Sequence, residues 1–498
     1  MAFSRRSVLV QGGVIGAGLI ASDVPGFRAL VWAVGEPTRK SLAGLAWDDP
    51  IVSAYRDAVG IMKKTDPLDR LSWSTVANIH FNYCPHGNWY FLPWHRAFVV
   101  SIERIVRTLT GKKEFAMPYW DWSTNPTLPD VFTTPLTPNG DTNWLYEPSR
   151  TLPPNWPYPD DVVGPGVVDK ALKETPYETF GTSRPTGQDS TDPKWIRDGS
   201  GTQGTLEGLP HNSVHAWMGG YMPTMHSPWD PIFFMHHGNI DRIWAVWNSK
   251  GNANSDEANW KNMTFTDNFV NPDKSFWSPK VSDLFDPLAL GYTYGLAAAP
   301  VAEASPQLLS LNSKLTTVFA GPIAAGTAGA KSFVKRLKAA PGRRFEISVP
   351  VDPAALSAVA HRAPAAPASS DVRAQQEADA SGPRAYALIR DVTASSPDTA
   401  EYRVFIKGKN VTPDTKITDP HYVGAFAVFN KGPMGEHATH QEHPSFLLDL
   451  TDAIVRVYGG ISKMPKDLAL DIFALLDRSG LNPGTIAAGS IEIVIITP

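Results

Sequence analysis

Apolar residues recur at helical spacing in the first half of the chain and at strand spacing in its last third. Ile51, Tyr55, Val59 and Met62 fall on one helical face, and so do Phe98, Ile102, Ile105 and Leu109. The second set predicts a helix that begins near His95 and stops around Gly111. The stretch from Met117 to about Pro193 is dense in Pro, Asp and Thr and predicts long surface loops of the kind that border a pocket. Further on the period changes to two. Phe345, Ile347 and Val349 alternate with polar residues, as do Tyr402, Val404 and Ile406, and Ile491 to Ile496 is a closing, largely apolar and β-branched run. The expected fold is therefore a mainly α part with long loops over 36–250, a connecting region over 251–340, and a C-terminal β-sandwich over 341–498. Within the last, an Ala/Pro/Ser-rich stretch near 353–383 predicts a disordered loop. There is no internal repeat.

With 498 residues and 42% hydrophobic content, the chain is long enough for two or three domains with full cores. A formal net charge of -4 provides no basic footprint, so nucleic acid is not an expected partner. Cys84 is the single cysteine, which excludes an intrachain disulfide. Sixteen Trp suit either an aromatic-lined interior or a large core. Residues 1–35 resemble a twin-arginine export leader: Ser4-Arg5-Arg6-Ser7-Val8-Leu9 leads into an apolar, Gly-rich run from Val8 to Ala21, with no acidic residue before Asp23. That resemblance implies a periplasmic or secreted protein; the alternative is a flexible tail with two chance arginines. The run is too short for a membrane span, and no other stretch is apolar for long enough to supply one.

Two histidine clusters carry the candidate chemistry. The first holds His80, Cys84, His86, His95 and Arg96. The second holds Glu207, His211, Asn212 and His215, followed by Asp230-Pro231 and then His236, His237 and Asp241. His211 and His215 stand at i, i+4, so on a helix both imidazoles project from one face. Adjacent helical residues point about 100° apart, so His236 and His237 do not serve one ion together; His237 is the expected ligand and His236 a supporting or packing residue. Asp241, four residues after His237, shares its face and is a candidate to hold the structure that aims it. Any one of these histidines alone is more often a core or surface residue. Two sets of three imidazoles point instead to two metal ions with open coordination positions, a poor fit to structural zinc.

The segments from His80 to Glu103 and from Glu207 to Trp244 resemble the two copper-binding regions of the type 3 copper proteins: tyrosinases, catechol oxidases and haemocyanins. His86, Phe91, Trp94, His95, Arg96 and Glu103 match the first motif, and Asp230-Pro231, Phe233, His237 and Asp241 match the second. The leader, Leu290-Gly291-Tyr292-Thr293-Tyr294 and the C-terminal β part resemble bacterial tyrosinases built on the plant polyphenol oxidase plan. The resemblance implies a helical bundle around a dicopper centre. His80, His86 and His95 would bind one copper and His211, His215 and His237 the other, with dioxygen as co-substrate and small phenols as substrates. A copper-delivery partner is not identified by it.

Within that resemblance, monophenols are hydroxylated at the ortho position and o-diphenols oxidised to o-quinones, with melanin as one outlet. Glu207 and Asn212 correspond to a glutamate and asparagine that together polarise a water into a base; both also suit the start of a helix. Thr224 falls at the family's gate position and Ala216 follows His215, both small enough to leave the copper open. Cys84-Pro85-His86 matches a pattern in which the cysteine sulfur is joined to the ligand histidine, implying a Cys84–His86 thioether; an inert buried thiol is the other reading. His437, His440 and His443 read as a solvated loop before a copper-capture site. The β part is expected to act as a lid, with the hairpin from Phe426 to Phe429 as its plug. The expected activity is that of a tyrosinase, against a catechol oxidase limited to diphenols or o-aminophenols, and a haemocyanin-like oxygen carrier.

Overall fold

The computed structural model describes residues 35–185, 199–296, 306–319, 329–337, 342–362, 382–394, 401–429, 443–475 and 485–497. The leader-like residues, His437 and His440 lie outside these. Helix α1, Pro50–Lys64, starts where Asp49 accepts the Ile51 N–H and Pro50 takes a position that needs no donor. It buries Val52, Tyr55, Val59 and Met62. Helix α2, Trp73–Tyr83, is capped by Ser72, which accepts from Thr75 N at 3.2 Å. Helix α3, Phe91–Thr110, ends at Gly111 in the left-handed region (φ 68°). It starts a turn earlier than its apolar spacing predicts. Pro93 lies in that first turn, where its missing N–H costs no bond, and His95 is therefore inside the helix. The short helix α4, Asn212–Met218, and the long α5, Ile232–Ser249, complete the frame.

The packing of α3 against α5 is fixed by buried charge as well as by apolar contact. Arg39 Nε bonds Glu103 Oε2 at 2.8 Å and its Nη1 bonds Asp241 Oδ2 at 2.9 Å. Arg96 pairs with the other Asp241 oxygen, and the Tyr292 and Tyr294 hydroxyls donate to Asp241 at 2.6 and 2.7 Å. Burial alone would raise the Asp241 carboxyl, but the Arg96 and Arg39 guanidinium groups outweigh it and hold it below the usual carboxylate range. Partners surround each charge, as burial demands.

Two expected divisions differ from the structure. Of the 117–193 stretch, the described residues 117–185 are irregular, yet Trp120, Trp122, Phe132, Leu152, Tyr158 and Phe180 anchor them in the core, with short helices at Asp160–Val163, Pro165–Lys173 and Tyr177–Phe180. They wrap the helices instead of looping away from them. The 251–340 region divides in two. Trp260, Phe265, Phe269 and Tyr292 join the helical core, whereas the helix Pro306–Phe319 packs Leu311 and Leu315 on the β part.

The β part is two packed sheets. With strands numbered β1 Thr202–Gln203, β2 Ala330–Arg336, β3 Arg344–Pro350, β4 Arg384–Arg390, β5 Tyr402–Ile406, β6 Tyr422–Phe426, β7 Ser445–Asp449, β8 Asp467–Ala474 and β9 Ser490–Ile496, the orders are β1-β7-β4-β9-β2 and β3-β8-β5-β6. The period-two expectation for β3 is met residue for residue: Phe345, Ile347 and Val349 are buried between exposed neighbours. Since β2 pairs along its length with β9, the β part reaches back before position 341. Within 353–383, residues Pro353–Ala360 form a helix capped by Asp352, and 363–381 lie outside the described residues. The strand β1 comes from the helical part, pairs in parallel with β7, and leads straight into the second histidine cluster.

Candidate metal centre

The elements of the helical part carry the histidines inward from different directions. His80 comes from the last turn of α2 and His95 from α3, while His86 comes from the loop between them. His211 ends a wide turn, Glu207–His211, in which the Asn212 N–H bonds back to the Glu207 carbonyl five residues earlier. Pro210 inside that turn has no N–H to give an ordinary helical bond, which favours the wider geometry. His215 follows on α4 and His237 on α5. All are buried.

Two groups of side chains converge, and within each the candidate ligand atoms lie within 4.8 Å of one another. One is His80, Cys84, His86 and His95; the other is His211, His215, His236 and His237. The groups face each other. The rings of His95 and His237 stack at 4.1 Å, and those of His86 and His211 lie 5.6 Å apart. Burial pushes the His95 and His215 imidazoles down to about 3, and burial with their neighbouring imidazoles takes His86, His211 and His237 well below the ordinary value. They are neutral at any pH near 7, the form that ligates metal.

Hydrogen bonds assign the ring nitrogens. The Nδ1 atoms of His80, His95 and His215 meet the carbonyls of Met225, Phe91 and Met222 at 2.8, 2.8 and 2.7 Å. A carbonyl only accepts, so these Nδ1 atoms carry the proton and each Nε2 keeps its lone pair. His211 Nδ1 meets Asn212 Oδ1 at 2.9 Å, and its Nε2 is buried without a hydrogen-bond partner. His215 Nε2 and His237 Nε2 approach to 3.2 Å, a hydrogen bond when His237 carries its proton on Nε2 and a pair of donors for one cation when it carries it on Nδ1. The donor set thus fits metal ions of imidazole preference, copper among them. His236 differs. Trp122 Nε1, which can only donate, bonds its Nδ1 at 3.1 Å, so its other nitrogen carries the proton.

The remaining candidate residues fall around this centre. Cys84 Sγ lies 3.6 and 3.9 Å from His86 Nδ1 and Nε2, and 3.3 Å from His95 Nε2. Glu207 is fully buried; its Oε1 accepts from Gly87 N at 2.9 Å and its Oε2 from the Thr182 hydroxyl. Asn212 does not share those donors: its amide goes to Gln203 Oε1 at 2.7 Å and the Ala427 carbonyl at 2.8 Å. Ala216 is buried. The Thr224 hydroxyl turns back onto the Tyr221 carbonyl. Asp241 shares α5 with His237 but makes no hydrogen bond to it. Its carboxylate grips Arg96, next to His95, so it ties the two histidine helices together without touching either imidazole.

From the β part, Phe429 enters the centre. Its ring lies 4.9 Å from His86, 5.0 Å from His215 and 6.3 Å from His211, and it is packed in the helical core. The Ala427 N–H bonds the Gly208 carbonyl at 2.7 Å, fastening the same segment to the wide turn. The expected plug residue thus stands against both groups.

The sequence offered no signal for the carbonyls of Phe91, Met222 and Met225, because any residue presents one. Thr182 and Gly87 were missed for a similar reason: long-range folding alone brings them to Glu207.

The description "Common central domain of tyrosinase" matches residues 70–250. A chloroplastic polyphenol oxidase of Vitis vinifera is 31% identical over 299 residues, covering 52% of this chain and 48% of that one. A tyrosinase of a Hahella species is 31% identical over 306 residues, covering 52% and 63%. The match spans about half the length of the plant relatives. Among solved structures, latent apple tyrosinase superposes with a TM-score of 0.64 at 19% identity over 93% of this chain and 98% of that one. A latent aurone synthase from natural source gives 0.63 at 20% identity, over 93% and 90%. These two show the shared fold, a helical core with a C-terminal β part. Residues 70–250 thus match the common central domain of tyrosinase, and the two histidine groups suited to metal lie within that stretch.

Proposed function

We propose that the chain is a tyrosinase: it hydroxylates monophenols at the ortho position and oxidises o-diphenols to o-quinones with dioxygen. The observation that carries this is the pair of buried three-imidazole sets facing each other. In this reading His80, His86 and His95 hold one copper and His211, His215 and His237 the other. His236 is left out because its nitrogens are committed to Trp122 and a proton. Copper, when bound, supplies the site for dioxygen and the oxidising equivalents.

The chain's own residues bind the phenol and move its proton. Glu207, held as an acceptor by Gly87 and Thr182, is the proposed proton acceptor through a water, with Asn212 as that water's second partner. Ala427 occupies the Asn212 amide while Phe429 stands over His86, so the described form is covered. Displacing the Ala427–Phe429 segment opens the site and frees one of the two amide N–H groups in one movement, the other staying on Gln203. Small Thr224 and Ala216 are the proposed open border of the pocket, which favours monophenols. The Cys84–His86 thioether belongs to the same proposal, and an intact mass lower by two hydrogens after copper loading is its signature. Export by the twin-arginine route is read from Arg5 and Arg6 in the same way.

Oxygen uptake by the copper-loaded chain tests this, before and after limited proteolysis, on tyrosine and on its catechol analogue. Uptake on both, with Glu207→Gln harming chiefly the monophenol, is the expected result. Uptake on the catechol alone makes it a catechol oxidase and removes Glu207 and Asn212 from the proton path. Reversible oxygen binding with no turnover on either, site uncovered, makes it a carrier.

A further inference from the structure

One short turn touches both histidine groups. After α4 the chain reverses through Gly219 and Gly220, both at positive φ (73° and 62°), and reaches Ser227. Residues with side chains rarely adopt these angles. There is no room for a side chain either: a Cβ on Gly220 would lie 2.5 Å from Ser149 Oγ, and one on Gly219 would lie 2.1 Å from Thr151 Oγ1. The turn is thereby pinned to the 149–151 segment. From it the Met222 carbonyl accepts from His215 Nδ1 at 2.7 Å, and three residues on the Met225 carbonyl accepts from His80 Nδ1 at 2.8 Å. His215 belongs to one group and His80 to the other.

Thr224 sits between the two carbonyls and sets the shape of the turn. Its hydroxyl donates to the Tyr221 carbonyl at 2.9 Å and accepts from the His226 N–H at 3.1 Å, closing both ends of the segment. The His226 ring stacks on Phe81, the residue after His80, at 4.7 Å and 4°. A shift of this turn therefore moves the acceptors of both imidazoles together.

We infer that the Gly219–His226 turn is a positioning strap shared by the two metal sets, and that Thr224 is its positioning residue. The strap fixes the tautomer and ring orientation of His80 and His215 at once, so it couples the occupancy of the two metals. This rests on the proposed assignment of His80 and His215 to separate coppers. In this role Thr224 acts through its hydroxyl, in addition to any effect of its small size on access.

The test is copper retention by the full chain. The copper-loaded, reduced protein is dialysed against graded concentrations of a Cu(I) chelator, and copper per chain is counted. Thr224→Val keeps the shape and removes the hydroxyl. It should release both coppers in parallel at about tenfold lower chelator, within the range seen when a ligand's supporting partner is lost. The melting temperature of the metal-free chain should stay as in wild type, which a merely structural role would not predict together with metal loss. Thr224→Ser should restore retention. Gly220→Ala, which pushes the same turn from its other end, should repeat the parallel loss. Retention unchanged in both variants, or loss of one copper alone, overturns the strap. A wild-type chain that never holds two coppers overturns the ligand assignment itself, a separate failure.

Discussion

The helical and β parts of this protein each bury an apolar core, but they differ in what lies at the centre. In the β part, alternate side chains of β3, β5 and β8 meet a closed apolar core of Ile, Leu, Val and Phe. The centre of the helical part is polar: neutral imidazoles, a buried carboxylate at Glu207, and the Arg39–Glu103–Asp241–Arg96 cluster nearby. A β core of this kind stabilises through the area it buries. The contribution of this polar centre depends on its partners, and its two histidine groups are suited to hold metal. Phe429 crosses the division, a residue of the β part buried in the polar centre of the other.

The sharpest way to break this contrast is Asp241→Asn. It leaves Arg39 and Arg96 buried with one charge fewer, and losing half of a buried pair costs about 3–5 kcal/mol. Chemical denaturation should show that loss in the helical part, with the β part's transition little changed; an equal fall in both would dissolve the distinction. Next is His95→Ala, which removes a proposed ligand and one face of the His95–His237 stack. Activity should fall by more than about a hundredfold, since even a ligand's supporting partner is worth 10–100-fold, and copper per chain should drop. Phe429→Ala tests the crossing point. Without the ring, the intact chain should turn over about tenfold faster before any proteolysis, equivalent to about 1.4 kcal/mol of cover released. No gain would mean the cover is held by other contacts of the β part, such as Ala427 with Asn212.

Acid supplies the gentlest probe. The folded-state His95 and His215 values are depressed to about 3, against an unfolded value near 6.5. Between those limits the unfolded chain binds more protons, so the stability these groups contribute is fully present above about 6.5 and is lost as pH falls toward 3. Each should steepen the decline of the metal-free chain by up to about 1.4 kcal/mol per pH unit. Copper should blunt the upper part of that decline, and identical curves with and without metal would separate these imidazoles from metal binding.

How much of this was legible in the sequence follows the same division. The strands at Phe345–Val349, Tyr402–Ile406 and Ile491–Ile496 were readable because alternation is a local property of a chain facing one core. Helix α1 was readable for the same reason, and α3 nearly so, its start hidden by Pro93. Residues 117–185 of the expected surface loops are anchored instead, because Pro and Asp mark irregular backbone, and irregular backbone can still be buried when Trp120, Trp122 and Phe180 hold it. The six imidazoles stood out by spacing. Their orientation did not, since it is set by carbonyls and by residues far along the chain: Met225 for His80, Trp122 for His236, Ala427 for Asn212. Asp241 was identified as a support of its helix, but its partners, Arg39 and Tyr292, lie about 200 and 50 residues away.

The central claim is that two coppers sit in two facing sets of three imidazoles. The most direct measurement is a crystal structure of the copper-loaded chain with copper located by anomalous scattering. Two ions are expected, one bound by His80, His86 and His95 and one by His211, His215 and His237, with His236 still on Trp122. A single ion, or one that recruits His236 in place of His237, would contradict the claim.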